Sequence, residues 1–489
     1  MTNRHRRRAF ATPFSQNLSR TGMATLALAA AFCAMAIQAA RCEETAANLT
    51  APNIVFIMAD DLGYGDLGCY GQERILTPNI DKLAREGMRF TQFYAGSTVC
   101  APSRCVLMTG YHTGHAYIRG NGSLHLRPGD VTMAECLKAA GYQTGQTGKW
   151  GLGYEGDAGA PTRQGFDFFF GYLSQTHAHN YYPTFLIRNE TRVRLPNVVP
   201  NERRGQAEGA GHASVRKVYS HDLIMGEALK FVEQSTKADK PFFLYASLTL
   251  PHANNEAGRE GMEVPDLGPY AEKDWPAPQK GHAAMITRMD DGVGKLMKLL
   301  EELGVADNTL VFFTSDNGPH AEGGNNPDFQ NSNGPLRGIK RSLHDGGIRV
   351  PLIAHWPGKI KAGSESDFIG CFQDILPTVA ELAGPVAQKL VPEDIDGVSI
   401  VPTLLGEPRE QRRHEYLYWA FYEQGGGQAV RSGQWKAVQQ PVGRPVRLYR
   451  ISTDIGEQDD VAADHPDVVA QMKRHMEEAY EPSPHWKWK

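Results

Sequence analysis

Cysteine is scarce in this chain: its 489 residues include only seven, and none has the paired spacing of a zinc finger. Seven are too few for a disulfide scaffold, although one or two bridges are compatible with the number. The chain also lacks internal repeats and low-complexity tracts, which excludes a solenoid or a long biased segment. The formal net charge is −4, and no lysine- and arginine-rich block occurs beyond the extreme N-terminus. A nucleic-acid partner is therefore not expected.

The first 40 residues have the pattern of a signal peptide. Four arginines lie within residues 4–8, and an apolar, alanine-rich run extends from Met23 to Ala40. Because this run is short and rich in small residues, we expect a cleaved export signal and no stable membrane anchor. Residues 1–40 contain five arginines and no acidic residue, so their removal changes the net charge from −4 to −9. The sequence thus predicts export to the periplasm or the extracellular space.

After the signal, predicted strands and helices alternate. Asn53–Ala59 is a continuous apolar run, typical of a strand buried on both faces of a parallel sheet. Similar patterns predict strands at 142–147, 241–248 and 309–314, and helices at 77–87 (capped by Thr77), 220–235 and 282–303. This alternation predicts an α/β fold with a doubly wound sheet between layers of helices.

Beyond about residue 410 the pattern changes. Short predicted strands at 416–421, 429–439 and 446–451 are followed by one helix at 466–480. Such a succession is typical of a small antiparallel α+β subdomain. The predicted organisation is a signal peptide in residues 1–40, a catalytic domain in 51–410 and a C-terminal subdomain in 411–489.

Two predicted strands end in pairs of oxygen-bearing side chains. Asp60 and Asp61 follow the first strand, and Asp316 and Asn317 follow the strand at 309–314. In open α/β sheets the ligand site lies beyond the carboxyl ends of the strands, so we expect the two pairs to meet there. Three carboxylates and an amide oxygen favour Ca²⁺ or Mg²⁺ over zinc. Either pair alone would more often cap a loop or helix, but two at one sheet edge favour a metal site.

Cys100 starts the segment Cys-Ala-Pro-Ser-Arg-Cys, which leads into a helical pattern at 106–109. A cysteine just before a helix lies in a positive local field, which lowers its pKa and favours an anionic partner. The residues alone leave two interpretations open. One is a reactive thiolate or anion pocket, and the other is a buried structural cysteine.

The segment Cys100–Arg104 resembles the Cys-x-Pro-Ser-Arg signature of type I, formylglycine-dependent sulfatases of the alkaline-phosphatase-like superfamily. Six further segments resemble motifs of that family in the expected order: 53–65, 147–151, 250–252, 314–318, 334–351 and 448–460. The resemblance covers about residues 51–485. It implies a large mixed, mostly parallel sheet sandwiched by helices, with a small C-terminal antiparallel α+β subdomain.

The resemblance also implies a sulfuric ester hydrolase in which a maturation enzyme oxidises Cys100 to formylglycine. One hydroxyl of the hydrated aldehyde attacks sulfur, and the other lets the carbonyl re-form and expel sulfate. The implied ligands of one cation, Ca²⁺ with Mg²⁺ as the alternative, are Asp60, Asp61, the modified Cys100, Asp316 and Asn317. The resemblance also implies a role for four other residues. Arg104 would hold the hydrate, Lys149 and Lys340 would bind sulfate oxygens, and His252 would protonate the leaving alcohol.

Gly151 departs from the family pattern. Many members carry a histidine at this position, two residues after the first lysine, in contact with the formylglycine hydroxyl. We hypothesise that His177 or His179, in the histidine-rich segment 175–182, reaches the pocket instead. The alternative is a loop whose histidines bind the sugar of the substrate or only solvent. Asp345, where a glutamate is usual, is a milder departure that we attribute to loop packing.

Two other functions compete with this interpretation. A phosphatase or phosphonate monoester hydrolase of the same superfamily would share the sheet and the metal ligands, but the intact Cys-x-Pro-Ser-Arg segment and the ligands for one metal only argue against it. A non-catalytic binder of sulfated glycans should have lost a catalytic residue, and only Gly151 hints at such a loss. Because exported enzymes mostly meet polymers, the expected substrate is a sulfated carbohydrate, either a small molecule or a polysaccharide.

Overall fold

The structure is a computed structural model that describes residues 51–202, 207–238 and 240–488. The predicted signal peptide in residues 1–40 lies outside these ranges. Within them, no helix is both long enough and apolar enough to cross a membrane.

Strands and helices alternate through most of the described chain. The strands are β1 (Asn53–Ala59), β2 (Met88–Phe90), β3 (Phe93–Tyr94), β4 (Gln143–Lys149), β5 (Phe168–Tyr172), β6 (Phe185–Arg188), β7 (Thr191–Arg194), β8 (Phe242–Ser247), β9 (Thr309–Ser315), β10 (Leu352–His355), β11 (Ser364–Ser366), β12 (Gly370–Cys371), β13 (Leu417–Phe421), β14 (Gly427–Ser432), β15 (Trp435–Gln439) and β16 (Arg447–Arg450). The helices are α1 (Pro78–Glu86), α2 (Cys100–Thr109), α3 (Met133–Ala139), α4 (Ser220–Ser235), α5 (Ala277–Glu302), α6 (Asp345–Ile348), α7 (Ile375–Ala383), α8 (Pro385–Gln388), α9 (Val401–Leu404) and α10 (Pro466–Glu478).

A ten-stranded sheet, ordered β11-β2-β10-β9-β1-β8-β4-β5-β6-β7, forms the centre of the molecule. Its middle strands, from β9 to β5, run parallel, while β10, β6 and β7 add antiparallel pairs toward the edges. β1, β8 and β9 are apolar along most of their length because both faces of the sheet are covered, whereas β4 is rich in glutamine, threonine and glycine. The ring of Phe56 in β1, for example, packs against Tyr245 of β8 and Phe312 of β9 at centroid distances of 6.1 and 5.7 Å. The predicted mixed, mostly parallel sheet is confirmed.

Two helix predictions need correction. Helix α5 begins at Ala277, five residues before the predicted start, because its first turn contains Pro278 and few large apolar residues that a periodicity could reveal. Thr77 occupies the N-cap position of α1, but its side chain does not cap the helix. Its hydroxyl instead accepts a hydrogen bond from the backbone of Gly68 and donates one to Asp81.

The C-terminal part contains a four-stranded antiparallel sheet, β13-β14-β15-β16, against which α10 packs with Met472 and Met476. The predicted single strand at 429–439 is wrong: it is a hairpin of β14 and β15 that turns at Gly433, where φ is 53°. The predicted small antiparallel subdomain is confirmed in this sheet. Its boundary near residue 410 stays a prediction.

The sheet brings four strand ends to one edge. β1 is flanked by β9 and β8, and β4 lies beyond β8. Their registers are aligned, with Ala59 opposite Ser315 and Gly148 opposite Ser247. The residues that follow these strands therefore start at the same level, which creates the site.

Candidate active site

The two pairs of oxygen-bearing side chains meet beyond the carboxyl ends of β1 and β9. The backbone N–H of Asp61 donates to Oδ1 of Asp316 at 3.1 Å, and Nδ2 of Asn317 donates to Oδ1 of Asp61 at 2.7 Å. Asp60, Asp61, Asp316 and Asn317 are all buried. Asp61 adopts a φ of 63°, in a left-handed region that a non-glycine residue occupies at a cost and that recurs at functional sites.

This cluster fits a hard divalent cation. Oδ1 of Asn317 is buried and is an acceptor without a hydrogen-bond partner. Burial and the neighbouring Asp60 carboxylate raise the pKa of Asp316 to about 7, because converging carboxylates disfavour one another's charge. Oxygen atoms of this kind suit Ca²⁺ or Mg²⁺. Ligand atoms of Asp60, Asp61, Cys100 and His252 lie close enough together to surround one ion.

Cys100 is the first residue of α2, and its Sγ lies 3.4 Å from Oδ1 of Asp60. The sequence predicted that the helix terminus would lower the pKa of this thiol. That prediction is wrong for the unmodified side chain, since burial, reinforced by the Asp60 carboxylate, raises its pKa well above the ordinary value. The thiol is therefore protonated at neutral pH and is a poor nucleophile as it stands.

Arg104 lies one helical turn after Cys100 and is buried. Its Nη2 and Nε donate to Oδ2 of Asp316 at 2.7 and 3.1 Å, and its Nη1 donates to the carbonyl of Lys149 and to the hydroxyl of Ser247. The guanidinium thereby links α2 to the ends of β9, β4 and β8. An arginine with this many acceptors is fixed in position.

Each aspartate of the first pair holds one buried lysine. Nζ of Lys149 donates to Oδ2 of Asp60, and Nζ of Lys340 donates to Oδ2 of Asp61, both at 2.7 Å. Burial opposes the charged ammonium groups, but the carboxylates outweigh it and raise the pKa of both lysines. Two cationic groups are thus held by Asp60 and Asp61, the carboxylates beside Cys100, where they can bind a tetrahedral oxyanion.

His252 follows β8 and lies beside Lys340. Its Nδ1 donates to the carbonyl of Ala253 at 2.7 Å, and its Nε2 lies 3.0 Å from Nζ of Lys340 and 3.4 Å from Oδ2 of Asp61. Burial and the Lys340 ammonium lower the pKa of this imidazole well below its ordinary value. The ring is therefore neutral, with the Nε2 lone pair facing the lysine.

The two candidate histidines of residues 175–182 lie in different environments. The ring of His179 stacks on His252 at a centroid distance of 4.7 Å and so borders the site. His177 is buried between the rings of Tyr172 and Phe185, with centroids 4.9 and 4.6 Å away. Its ring and Leu173 line a separate cavity of about 480 Å³. Cys100, Lys149 and Lys340 are not among the residues that line this cavity.

At position 151 the backbone explains the glycine. Gly151 has a φ of 78°, and a Cβ built there would collide with the amide nitrogen of Gln175. That amide lies near the carbonyl of Gly151 at 3.4 Å, and its Oε1 is buried without a hydrogen-bond partner. Gln175 was not among the residues predicted from the sequence, and it fills the space that a side chain at position 151 would need.

Sequence reasoning also missed an outer group of charged residues. Oε2 of Glu322 lies 3.3 Å from Nζ of Lys340, and its Oε1 accepts from Arg341 at 2.6 Å. His320 stacks over His252 at 5.8 Å. One available signal was position, because His320 and Glu322 follow Asn317 by only three and five residues in the same loop.

Comparisons with known proteins agree with this geometry. Residues 52–385 match the family model described as Sulfatase, and residues 339–481 match the one described as N-sulphoglucosamine sulphohydrolase, C-terminal. Arylsulfatase A of Homo sapiens is 34% identical over 413 residues, which cover 79% of this chain and 74% of that protein. N-acetylgalactosamine-6-sulfatase of Canis lupus familiaris is 33% identical over 408 residues, which cover 79% and 71%.

Among solved structures, the crystal structure of Ps i-CgsB in complex with k-i-k-neocarrahexaose is similar, with a TM-score of 0.73 and 28% identity. The similarity covers 90% of this chain and 95% of that one. The match to the Sulfatase model and the identity to sulfatases over most of the chain leave one assignment: the protein belongs to the sulfatase family of the alkaline-phosphatase-like superfamily and is a hydrolase of sulfate esters.

Proposed function

We propose that this sulfatase removes sulfate from a sulfated carbohydrate, using a formylglycine made from Cys100 and one bound Ca²⁺, with Mg²⁺ as the alternative ion. The observation that carries the proposal is the convergence of Lys149, Lys340 and Arg104 with three buried carboxylates around Cys100. A chain that bound glycans without hydrolysing them would have no use for so many buried charges, which are costly to desolvate.

The protonated thiol of Cys100 needs modification before it can act. In the matured side chain, an oxygen takes the place of Sγ next to Asp60. The aldehyde hydrate supplies one hydroxyl as the nucleophile and a second that lets the aldehyde re-form. Asp60 can accept a hydrogen bond from a hydroxyl of the modified side chain at position 100. Arg104 ties the start of α2 to Asp316, so that this side chain stays aligned.

The cation would be held by Asp60, Asp61, Asp316 and Asn317, together with the modified Cys100. When bound, it supplies positive charge that favours ionisation of the nucleophile and neutralises sulfate oxygens. Lys149 and Lys340 provide further donors, where charge redistributes as the S–O bond breaks. Their aspartate partners hold both ammonium groups in the site.

The leaving alcohol needs a proton. The Lys340 ammonium donates to Nε2 of His252, with the two nitrogens 3.0 Å apart. We assign this pair as the source: as the S–O bond breaks, a proton moves from Lys340 through Nε2 of His252 to the departing oxygen, and the lysine then recovers a proton from solvent. His179, stacked on His252, keeps water away from one face of the ring and borders the substrate.

A carbohydrate substrate is supported by the similar proteins. One relative is named an N-acetylgalactosamine-6-sulfatase, and one similar structure contains a neocarrahexaose. An exported enzyme would meet such polymers, and we also propose that residues 1–40 direct export to the periplasm or the extracellular space. Membership of the sulfatase family favours sulfate over phosphate as the group removed.

The first experiment is mass spectrometry of the tryptic fragment Phe90–Arg104 from protein made in its native host. Replacement of the thiol by an aldehyde or its hydrate supports the proposal, and release of sulfate from sulfated oligosaccharides by the same sample completes the test. An unmodified cysteine in an active sample contradicts the formylglycine assignment. Sulfate release from aryl sulfates but from no saccharide contradicts the substrate class.

A further inference from the structure

Three ionised side chains form a row across the mouth of the site, and we refer to Glu322, Arg341 and Glu423 as the rim triad. Nη1 of Arg341 donates to Oε1 of Glu322 at 2.6 Å, and Nε of Arg341 lies 4.0 Å from Oε2 of Glu423. The side chain of Arg341 is 30% exposed, whereas that of the neighbouring Lys340 is 3% exposed. The row therefore lies outside the buried lysine, in reach of a ligand.

The rim triad is connected at one end to Lys340 and at the other, through Asn121, to the start of α2. On one side, Glu322 lies 3.3 Å from Nζ of Lys340. On the other side, Oε1 of Glu423 accepts from the backbone of Asn121 at 3.4 Å, and Oδ1 of Asn121 accepts from the backbone of Ala101, the residue after Cys100, at 3.1 Å. A substrate whose sulfate is bound at Cys100 and Lys340 would therefore place the atoms next to its sulfate beside the rim triad.

Glu423 comes from the C-terminal sheet, in the turn between β13 and β14. Arg341 is held in a left-handed conformation with a φ of 74°, which is costly for a residue with a side chain. Its N–H donates to the carbonyl of Thr98, and its carbonyl accepts from Gln440. Strained backbone held by such bonds is characteristic of residues that must point in a fixed direction for function.

We propose that the rim triad binds vicinal hydroxyl groups of the sulfated sugar ring, and so makes the C-terminal sheet part of the substrate site. This inference rests on the proposed function. A hydroxyl both donates and accepts hydrogen bonds, and a guanidinium between two carboxylates offers alternating donors and acceptors. The 4.0 Å gap between Arg341 and Glu423 is too long for a direct hydrogen bond, and a hydroxyl group can bridge it.

The charge of the triad selects among ligands. Two carboxylates and one guanidinium carry a net charge of −1, so a second sulfate or a carboxylate on the ring is disfavoured at this point. An aryl or steroid ring offers no hydroxyl pair and leaves the charged groups unmatched. The chemistry therefore fits a neutral, hydroxylated sugar ring.

The test compares kcat/KM for 4-nitrophenyl sulfate with that for the monosulfates of galactose and N-acetylgalactosamine, using matured full-length protein. We expect Glu423→Ala to lower kcat/KM on the best saccharide about 10- to 100-fold, mainly through KM, because a hydrogen bond to a charged group is lost. The loss on the aryl sulfate should be at least tenfold smaller. Arg341→Ala should also lose much more kcat/KM on the saccharide than on the aryl sulfate. Arg341→Lys should regain part of the kcat/KM on the saccharide.

The matched control is Arg288→Ala. Arg288 is 32% exposed and paired with Asp222, but it lies on α5 away from the site, and its removal should leave the ratio unchanged. Equal losses on both substrates for Glu423→Ala would mean that the triad only ties the C-terminal sheet in place, which overturns the inference. Wild-type activity on the aryl sulfate alone would contradict the carbohydrate part of the proposed function, and this inference with it. No sulfate release from any substrate would contradict the proposed function itself.

Discussion

Nζ of Lys340 lies 3.0 Å from Nε2 of His252. Because Nδ1 of the same ring donates to the carbonyl of Ala253, the lysine supplies the proton between the two groups. The proposed mechanism therefore gives Lys340 two roles, one toward the sulfate oxygens and one toward the leaving group. We expect Lys340→Ala to lower kcat about 10²- to 10³-fold, the size seen when one donor to a developing charge is lost. Steady-state sulfate release measures this.

A suitable control for that variant is Lys298→Ala, which removes a lysine that is 74% exposed on α5. Its kcat should equal that of the wild type. If Lys340→Ala kept kcat within threefold of the wild type, the lysine would have no part in the chemistry.

Cys100→Ala should abolish turnover, with a loss of about 10⁴-fold or more, because the proposed mechanism takes its nucleophile from this side chain. The fold should survive, since the small side chain leaves α2 and its Arg104 contacts in place. Cys105→Ala is the matched control, because Cys105 is buried in the same helix but is not in the site. Sulfate release and circular dichroism on both variants make the comparison. Turnover by Cys100→Ala near the wild-type rate would remove Cys100 from the mechanism.

The strand ends could be located from the sequence because a parallel sheet obeys a simple rule. Continuous apolar runs marked β1 and β9, and the polar pairs after them had to meet at one edge. The motifs around Lys149 and His252 were identified differently, by the resemblance of short segments to those of a known family. Local patterns suffice wherever a residue is placed by the strand that precedes it.

The rest of the site depends on contacts between distant segments. Glu423 belongs to a turn some 80 residues after Arg341, and no local pattern links the two. Gln175 fills the space beside Gly151 only because β4 and β5 end next to each other. The pKa of Cys100 was predicted in the wrong direction because burial and Asp60, rather than the helix terminus, dominate it.

Chelation with EGTA should remove activity and lower the melting temperature. Asp60, Asp61 and Asp316 are buried together, so the loss of a compensating cation destabilises the native state. A ligand at 100 times its Kd stabilises by about 2.7 kcal/mol, which sets the scale of the shift. Ca²⁺ should restore both properties better than Mg²⁺. Differential scanning calorimetry and sulfate release report the two separately.

Asp61→Asn is the informative variant for the metal. It keeps the shape of the side chain but removes one charged ligand, so the Ca²⁺-dependent rise in melting temperature should shrink or vanish. An unchanged response to Ca²⁺ in this variant would place the ion elsewhere.

His414 and Asp374 should make part of the stability depend on pH. Their Nε2 and Oδ1 atoms are 2.8 Å apart, and Oδ1 also accepts from the backbone of Val398. Burial opposes the charged ring, but Asp374, aided by Asp396 and opposed by Arg412, outweighs it and raises the pKa of His414 above 6.5. Stability from a raised pKa is complete below the unfolded value and is lost as pH rises through the folded value.

The difference in free energy of unfolding between wild type and His414→Gln should therefore be largest at pH 6, at about 1–2 kcal/mol, and should fall toward pH 9. Urea denaturation at pH 6, 7, 8 and 9 tests this. His355 is the control, because burial lowers its pKa, and the difference for His355→Gln should stay flat from pH 7 upward. A flat profile for His414→Gln as well would contradict the ion pair.

Among the residues that the structure describes, Lys436 is the sole lysine paired with two buried carboxylates, Asp345 and Glu457. Its Nζ lies 2.5 and 3.0 Å from them, and all three side chains are fully buried. Lys436→Ala removes the lysine from Glu457 and leaves Asp345 with Arg349, 3.3 Å away, as its paired cation. Because the buried site solvates the carboxylates poorly, the free energy of unfolding should fall by about 3–5 kcal/mol. Chemical denaturation measures the loss, with exposed Lys473→Ala expected within about 0.5 kcal/mol of wild type. Lys436→Met should be as unstable as Lys436→Ala, because the methionine side chain refills the volume but does not replace the charge. If Lys436→Met instead recovered the stability of the wild type, packing and not charge would stabilise this junction between α6 and the C-terminal sheet.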